Sequence, residues 1–493
     1  MTGTARGAVA RSTASGLGAA KGVDAISRRA WQTLAVTSIS TLLASMDVTI
    51  VGVALPGITR SFAETPASTL AWVFTAYNVT FAALLLLGGK LSDRFGPKRT
   101  FLCGLAVFTV ASLMAALAPN AAVLIAARAC KAVGSALIYP ASIALLLQQF
   151  PPTRRSLGIG VLGGVSGLGG VIAPTLGSLL VQLANWRAVF FINLPFTFAA
   201  LLLGAAVLEG SVPTNLNRRF DPVGVPLGAV AIGLLVFGIV QTDPWGLTDP
   251  RTTASFAAAI VSLIAFLYRS THHPAPLLDL DLFRIRSFAV GTFVLVIATA
   301  PMFGWLVLMP TYFERVWNWA PLKAGCAVAP MPIVAAALSP LAGRLADQIG
   351  HRLLVATGCA IGATGTLWWA VFAGPSPNYL TDMLPGMVLT GLVGAAGVST
   401  TTAAALSHIP PRFYSMAAAA RFTMLQLGLG VGVAIAFAII DNGDNTTPAP
   451  YKAMWTVATT AALLGAFLMA TLYPTSRPRL RAANPPQEST SED

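Results

Sequence analysis

The chain has 493 residues and a mean hydropathy of +0.72, with 55% of residues hydrophobic and only 10% charged. Soluble domains carry about 25% charged residues, so a soluble enzyme or binding domain is excluded and a polytopic membrane protein is expected. The net charge of +13 would suit a nucleic-acid partner, but its placement along the chain follows membrane topology instead.

Residues 1–30 are polar, small and basic, and lack the apolar core and cleavage site of a secretory signal. They are read as a disordered cytoplasmic tail, as is 474–493. Between them lie fourteen apolar runs, near 31–55, 70–90, 100–118, 121–149, 156–184, 187–208, 222–241, 253–269, 287–313, 322–343, 351–373, 379–408, 414–440 and 453–473. A helix of about 20 residues crosses a ~30 Å hydrocarbon core. None of the runs alternates with period two, which excludes a β-barrel.

Lys and Arg orient the spans. Of the 31 basic residues, 22 fall on one side if both termini are cytoplasmic. Six fall in outer loops (Arg60, Arg187, Arg251, Arg315, Lys323 and Lys452) and three lie inside spans (Arg128, Lys131 and Arg421). The expected location is the cell (inner) membrane.

Two short charged turns set the architecture. Gly89–Arg99 reads GKLSDRFGPKR and Gly343–Arg352 reads GRLADQIGHR, offset by 254 residues. Such a repeat at equivalent places implies two halves with one plan. Eight spans separate the turns where two plain six-helix halves would leave six. The expected fold is therefore an all-α membrane protein of two six-helix bundles, 31–209 and 287–473. Two extra helices lie in 210–270, and a cytoplasmic connecting loop in 271–286.

In the first turn, Gly89 and Gly96 permit close helix approach and a tight bend. Asp93 either pairs with basic neighbours such as Arg94 and Arg99 or lies at the positive N-terminus of a neighbouring helix. Gly343, Asp347 and Gly350 repeat the pattern, with Gln348 where the first copy has Arg94.

Asp47 is the residue most indicative of function. An acid deep in a span is energetically expensive and marks an ion or proton site unless neighbouring hydroxyls hold it structurally. Thr37, Ser40, Ala44 and Asp47 share a small, polar helical face suited to a water-filled cavity. Arg128 and Lys131 are three apart in span four and share a face, and Lys131 is read as a further cavity residue. Asp47 lies about eight residues from the outer end of its span and Arg128 about eight from its own, which places both roughly 12 Å deep. Burial favours the protonated acid and an adjacent Arg the ionised one, so an Asp47–Arg128 pair would couple conformation to protonation.

Span five is crowded with glycine, including Gly160, Gly164 and Gly177, and contains Pro174. Small residues at i, i+4 allow close packing, and proline weakens the helix locally. Arg421, about seven residues into span thirteen, either snorkels to the inner surface or faces a cavity. Tyr77, Phe81, Trp72, Trp305, Trp368 and Trp369 are candidates for pocket walls or for lipid-facing belts. The four histidines are read as solvated. Cys103, Cys130, Cys326 and Cys359 form no CxxC and are read as apolar fillers, without disulfide or metal.

With these motifs in view, the chain resembles the major facilitator superfamily, and more narrowly its fourteen-helix drug:proton antiporter family. GKLSDRFGPKR is similar to the superfamily's signature loop. MDVTIVGVALP (Met46–Pro56) and WRAVFFINLP (Trp186–Pro195) resemble that family's first- and sixth-helix signatures, and QLGLGVG (Gln426–Gly432) its glycine-rich stretch. The resemblance implies that Asp93 latches onto span thirteen near Tyr414, that helices one and four line the cavity, and that Arg128 is the fourth-helix motif Arg. Lys131 and Ala132 stand where that motif has Gln and Gly. It also implies that span five is the antiporter helix, with Ala173 and Ser178 replacing two of its glycines.

No Walker A, GxSxG or HExxH occurs, so a proton gradient is the expected energy source, with no cofactor. The buried charges, one acid against two or three bases, favour neutral or anionic lipophilic compounds over permanent cations. The function implied is a proton-coupled multidrug efflux antiporter. A dedicated metabolite or lipid exporter, an importer on the same fold and a non-transporting sensor or scaffold are the alternatives. Expected partners are small-molecule substrates and membrane lipid, not nucleic acid. The chain is expected to be a monomer, with an accessory adaptor protein left open.

Overall fold

The computed structural model describes residues 26–210, 221–246, 249–441, 444 and 446–474. Among them are fourteen helical segments long and apolar enough to cross a membrane. They are α1 (Arg28–Ser61), α2 (Ser68–Phe95), α3 (Pro97–Ala116), α4 (Ala121–Gln149), α5 (Pro152–Leu183), α6 (Ala188–Val207), α7 (Gly224–Gln241), α8 (Pro250–His272), α9 (Arg286–Arg315), α10 (Lys323–Ile349), α11 (His351–Phe372), α12 (Tyr379–Leu406), α13 (Pro411–Val433) and α14 (Ala449–Leu472). The described residues contain no strand.

Two boundaries differ from expectation. Helix α1 begins at Arg28, because the Ser27 hydroxyl accepts from Ala30 N at 3.0 Å and caps it; the end of the expected tail is therefore helical. Residues 1–25 of that tail, the C-terminal tail beyond Pro474, and 211–220 lie outside the described residues. The connecting loop is not loose either. It holds a short 3₁₀ turn, Leu280–Arg284, and buries Leu277, Leu278 and Leu282. Lys90 Nζ donates to its Pro276 carbonyl at 2.7 Å.

The halves meet along two related seams, α2 against α13 and α5 against α10. The inserted α7 packs on both α2 and α13, and α8 packs on α7. Asp221 fastens the insert's base by accepting from Gly224 N at 2.8 Å and Arg269 Nε at 2.7 Å. At the end carrying both charged turns, here the basic end, one apolar cluster joins both halves, the insert and the connecting loop, with Leu86, Ile159, Phe266, Leu282 and Ala417 among its members. At the opposite end the buried clusters stay within single halves, one around Ile50, Leu124 and Phe190 and another around Trp305, Trp369 and Trp455.

Candidate functional site: a buried charge triad beside a central cavity

The two charged turns close the basic end. Gly96 and Gly350 end α2 and α10 with φ of 90° and 89°, a left-handed conformation that glycine adopts without steric penalty. The chain can then turn straight into the next helix. Asp93 accepts from Ser415 N at 3.1 Å and Met416 N at 2.9 Å, in the first turn of the helix beginning at Tyr414. Asp347 does the same across the other seam, accepting from Ser156 N at 3.1 Å and Leu157 N at 3.0 Å. Each carboxylate thus sits where a helix N-terminus presents free N–H groups and positive potential. Of the two readings of Asp93, the helix N-terminus is the one the geometry selects, and Asp347 matches it despite Gln348.

Glycines make this approach close. A Cβ on Gly89 would lie 2.5 Å from Ala419 Cβ and 2.8 Å from Ser415 O, and one on Gly160 would lie 2.5 Å from Ser339 O. A Cβ on Gly164 would meet Ala336 O at 2.8 Å, and one on Gly343 would collide with Ser156 O. Further along α5, Gly167 and Gly170 face open space. Gly177 packs on Ile50 of α1, and Pro174 sits exposed within an unbroken helix. Arg94 stacks on Phe95, whereas Arg99 is exposed at the start of α3.

The latch also uses partners that the sequence patterns did not single out. Ser92 and Ser415 hydroxyls meet at 2.7 Å, and His351 Nε2 lies 2.9 Å from Ser156 Oγ. The reading of His351 as solvated is therefore corrected: the helix that follows Gly350 directs it into the seam.

Asp47 is fully buried and bonded to both Arg128 Nη1 and Lys131 Nζ, the latter at 2.5 Å, and all three side chains are 0% exposed. Arg128 Nε also donates to Val73 O at 3.0 Å. Its guanidinium lies 4.3 Å from the Tyr77 ring centre, and Lys131 Nζ lies 4.5 Å from that of Phe108. One acid therefore holds two bases in an apolar, aromatic surround.

The central cavity has two lobes, of about 500 and 400 Å³, which share Ser45, Tyr139, Phe303 and Phe422 as walls. Tyr139 and Phe422 rings, 4.8 Å apart, and Phe81 mark the junction. Tyr77 lines the larger lobe and separates it from the triad, its hydroxyl 2.8 Å from Ser135 Oγ. Inserted α7 contributes Val236, Ile239 and Val240 to that wall. Arg421 lines the smaller lobe at 2% exposure, which decides between its two readings: it faces the cavity and does not snorkel.

Three expectations are corrected here. Ser40 and Lys131 do not line the cavity. Ser40 is turned inward and bonds Val36 O at 2.9 Å, and Lys131 is spent on Asp47. The α1 face on the cavity is instead Thr41, Ala44, Ser45, Val48 and Thr49, because the Asp47 face is covered by α4 and its cations. Trp305 and Trp369 form neither wall nor belt but a core pair with ring centres 4.6 Å apart. Missed altogether was a π-helical turn, Gly394–Ser399, in α12; its Gly394, Val398 and Ser399 line the smaller lobe. Gly394 and Gly397 in a threonine-rich span were the only sequence signal for it.

A family model described as Major Facilitator Superfamily matches residues 37–329 and 291–492. The Tetracenomycin C resistance and export protein of Streptomyces glaucescens is 30% identical over 81% of this chain and 74% of its own length. The Cephamycin export protein CmcT of Amycolatopsis lactamdurans is 30% identical over 90% of this chain and 92% of its own. Among solved structures, the proton:xylose symporter XylE aligns with a TM-score of 0.66 at 14% identity, over 91% of this chain and 97% of that one; at that identity the likeness concerns the fold alone.

Proposed function

This chain belongs to the major facilitator superfamily as a multi-pass membrane transporter whose fourteen spans fit the fourteen-helix drug:proton antiporter type, and we propose that it is a proton-coupled efflux antiporter working by alternating access. Its cargo in this reading is lipophilic compounds, neutral or anionic rather than permanently cationic. The observation that carries the reading is the buried Asp47 clasped by Arg128 and Lys131 beside a cavity closed at the basic end.

A buried carboxylate bonded to two cations is held ionised; withdrawing both cations leaves it free to accept a proton. Both cations sit on α4, so a shift of α4 against α1 exchanges a salt bridge for a proton. With the basic end taken as cytoplasmic, the described conformation faces outward. Asp47 would load its proton as substrate leaves outward, and the proton would depart inward after the latches of Asp93 and Asp347 open. Excess positive charge near the cavity disfavours permanent cations.

The test is purified protein in proteoliposomes with an imposed pH gradient and a neutral fluorescent lipophilic compound. Wild type should accumulate it against its gradient and Asp47→Asn should not; persistent coupling in Asp47→Asn overturns the proton assignment. A narrower reading, export of a single compound, draws support from relatives named for one compound each. A panel of chemically unlike compounds, of which only one is transported, would favour it.

A further inference from the structure

We propose that Arg421 is the anchor for the carboxylate of an amphiphilic substrate, whose lipophilic body occupies the aromatic junction of the two lobes; this deepens the exporter reading and rests on it. Arg421 is 2% exposed and lines the smaller lobe. Its Nη2 donates to Val398 O at 3.1 Å, while its buried Nε has no hydrogen-bond partner among the described residues. None of the ion pairs among the described residues involves it. Among the described residues no acid lines either lobe, and Asp47, buried in the adjoining bundle, already holds two cations.

A desolvated guanidinium without a counter-charge is costly unless an anion is supplied. A planar carboxylate meets its N–H fork two bonds at a time. The setting supplies the rest. Thr41, Ser45, Ser166, Ser399 and Thr402 line the lobe with hydroxyls, and the π-helical turn that bears Val398 O positions the guanidinium. Widened turns of this kind recur at functional sites. Phe81, Tyr139 and Phe422 offer a ring-lined space for the apolar part.

The experiment is a fluorescence titration of the full chain in nanodiscs, corrected against empty nanodiscs, with 9-anthracenecarboxylate and 9-anthracenecarboxamide as probes. Wild type should bind the carboxylate about tenfold more tightly than the amide. Arg421→Gln should erase that preference by weakening the carboxylate far more than the amide, and Arg421→Lys, which keeps the charge without the fork, should retain only part of it. Equal wild-type affinity for both probes overturns the proposal, as does equal weakening of both in the variants. Should Arg421→Gln not fold, an unchanged preference in Arg421→Lys refutes the fork geometry. Because no gradient is applied, this outcome is independent of Asp47 coupling. Persistent coupling in Asp47→Asn with an intact carboxylate preference sinks only the proton assignment, and a missing preference with coupling lost in Asp47→Asn sinks only the anchor.

Discussion

Removing the Asp93 carboxylate should open the basic end. Asp93 accepts two backbone N–H groups at 3.1 and 2.9 Å from the first turn of the long helix in α13. Hydrogen bonds to a charged group are each worth ~1.5–3 kcal/mol, and a charge at a helix N-terminus adds about 0.3–2 kcal/mol. Opening lets water replace part of this, so the net loss on Asp93→Ala is about 3 kcal/mol. That shifts the closed-to-open equilibrium roughly 100-fold, at 1.4 kcal/mol per factor of ten. Asp93→Asn retains one acceptor but not the charge and should shift it by less. Spin labels at the exposed positions Arg99 and Arg412, one in each half, in a background lacking the four cysteines, report the distance by double electron–electron resonance. Asp93→Ala should add a longer-distance population. Asp347→Ala should act alike on the other seam, and because the two latches share no residue their effects should add. A distance distribution identical to wild type in the double variant would refute the latch.

Asp47→Asn leaves Arg128 and Lys131 buried against each other and should lower stability by about 3–5 kcal/mol, whereas Lys131→Met leaves a neutral Asp47–Arg128 pair and should change it by less than ~1 kcal/mol; thermal unfolding in detergent separates them. Gly160→Val places its Cβ against Ser339 O and should disfavour the closed basic end by ~1–3 kcal/mol, read by the same spin labels. The Asp221 carboxyl lies below its ordinary range: burial alone would raise it, but the Gly224 N–H and Arg269 outweigh burial. A depressed carboxylate stabilises the fold above its unfolded pKa of about 3.9 and loses that contribution as pH falls towards its folded value. Asp221→Asn should therefore narrow the stability difference between pH 7 and pH 3, and an unchanged difference would remove Asp221 from the acid response.

Span number, the repeat and the depth of Asp47 and Arg128 are all legible in the amino-acid sequence. Each rests on a one-dimensional quantity: hydropathy over some 20 residues, a fixed offset, or rise per residue. Asp347 illustrates what spacing alone supplies. Its motif is weaker than Asp93's, yet the two carboxylates make matching contacts, because position relative to the turn, not Gln348, decides what they meet.

Rotation about helix axes is not legible there. The Thr37–Ser40–Asp47 stripe and the Thr41–Ser45–Thr49 stripe of α1 look alike in sequence, and only packing against α4 decides which is sealed and which faces the cavity. The same limit applies to Lys131 and to Trp305, since periodicity identifies a face but not its neighbour. By itself, then, the sequence determined a fourteen-span, two-half membrane protein with one deep acid and its basic partner at matching depth. The tertiary structure alone decided that two cations share that acid, that Arg421 stands in the cavity with no acid among the described residues paired to it, and that the basic end is the closed one. Those facts depend on contacts between residues far apart in the chain, such as Asp93 with Ser415 and Arg421 with Val398, which no local pattern encodes.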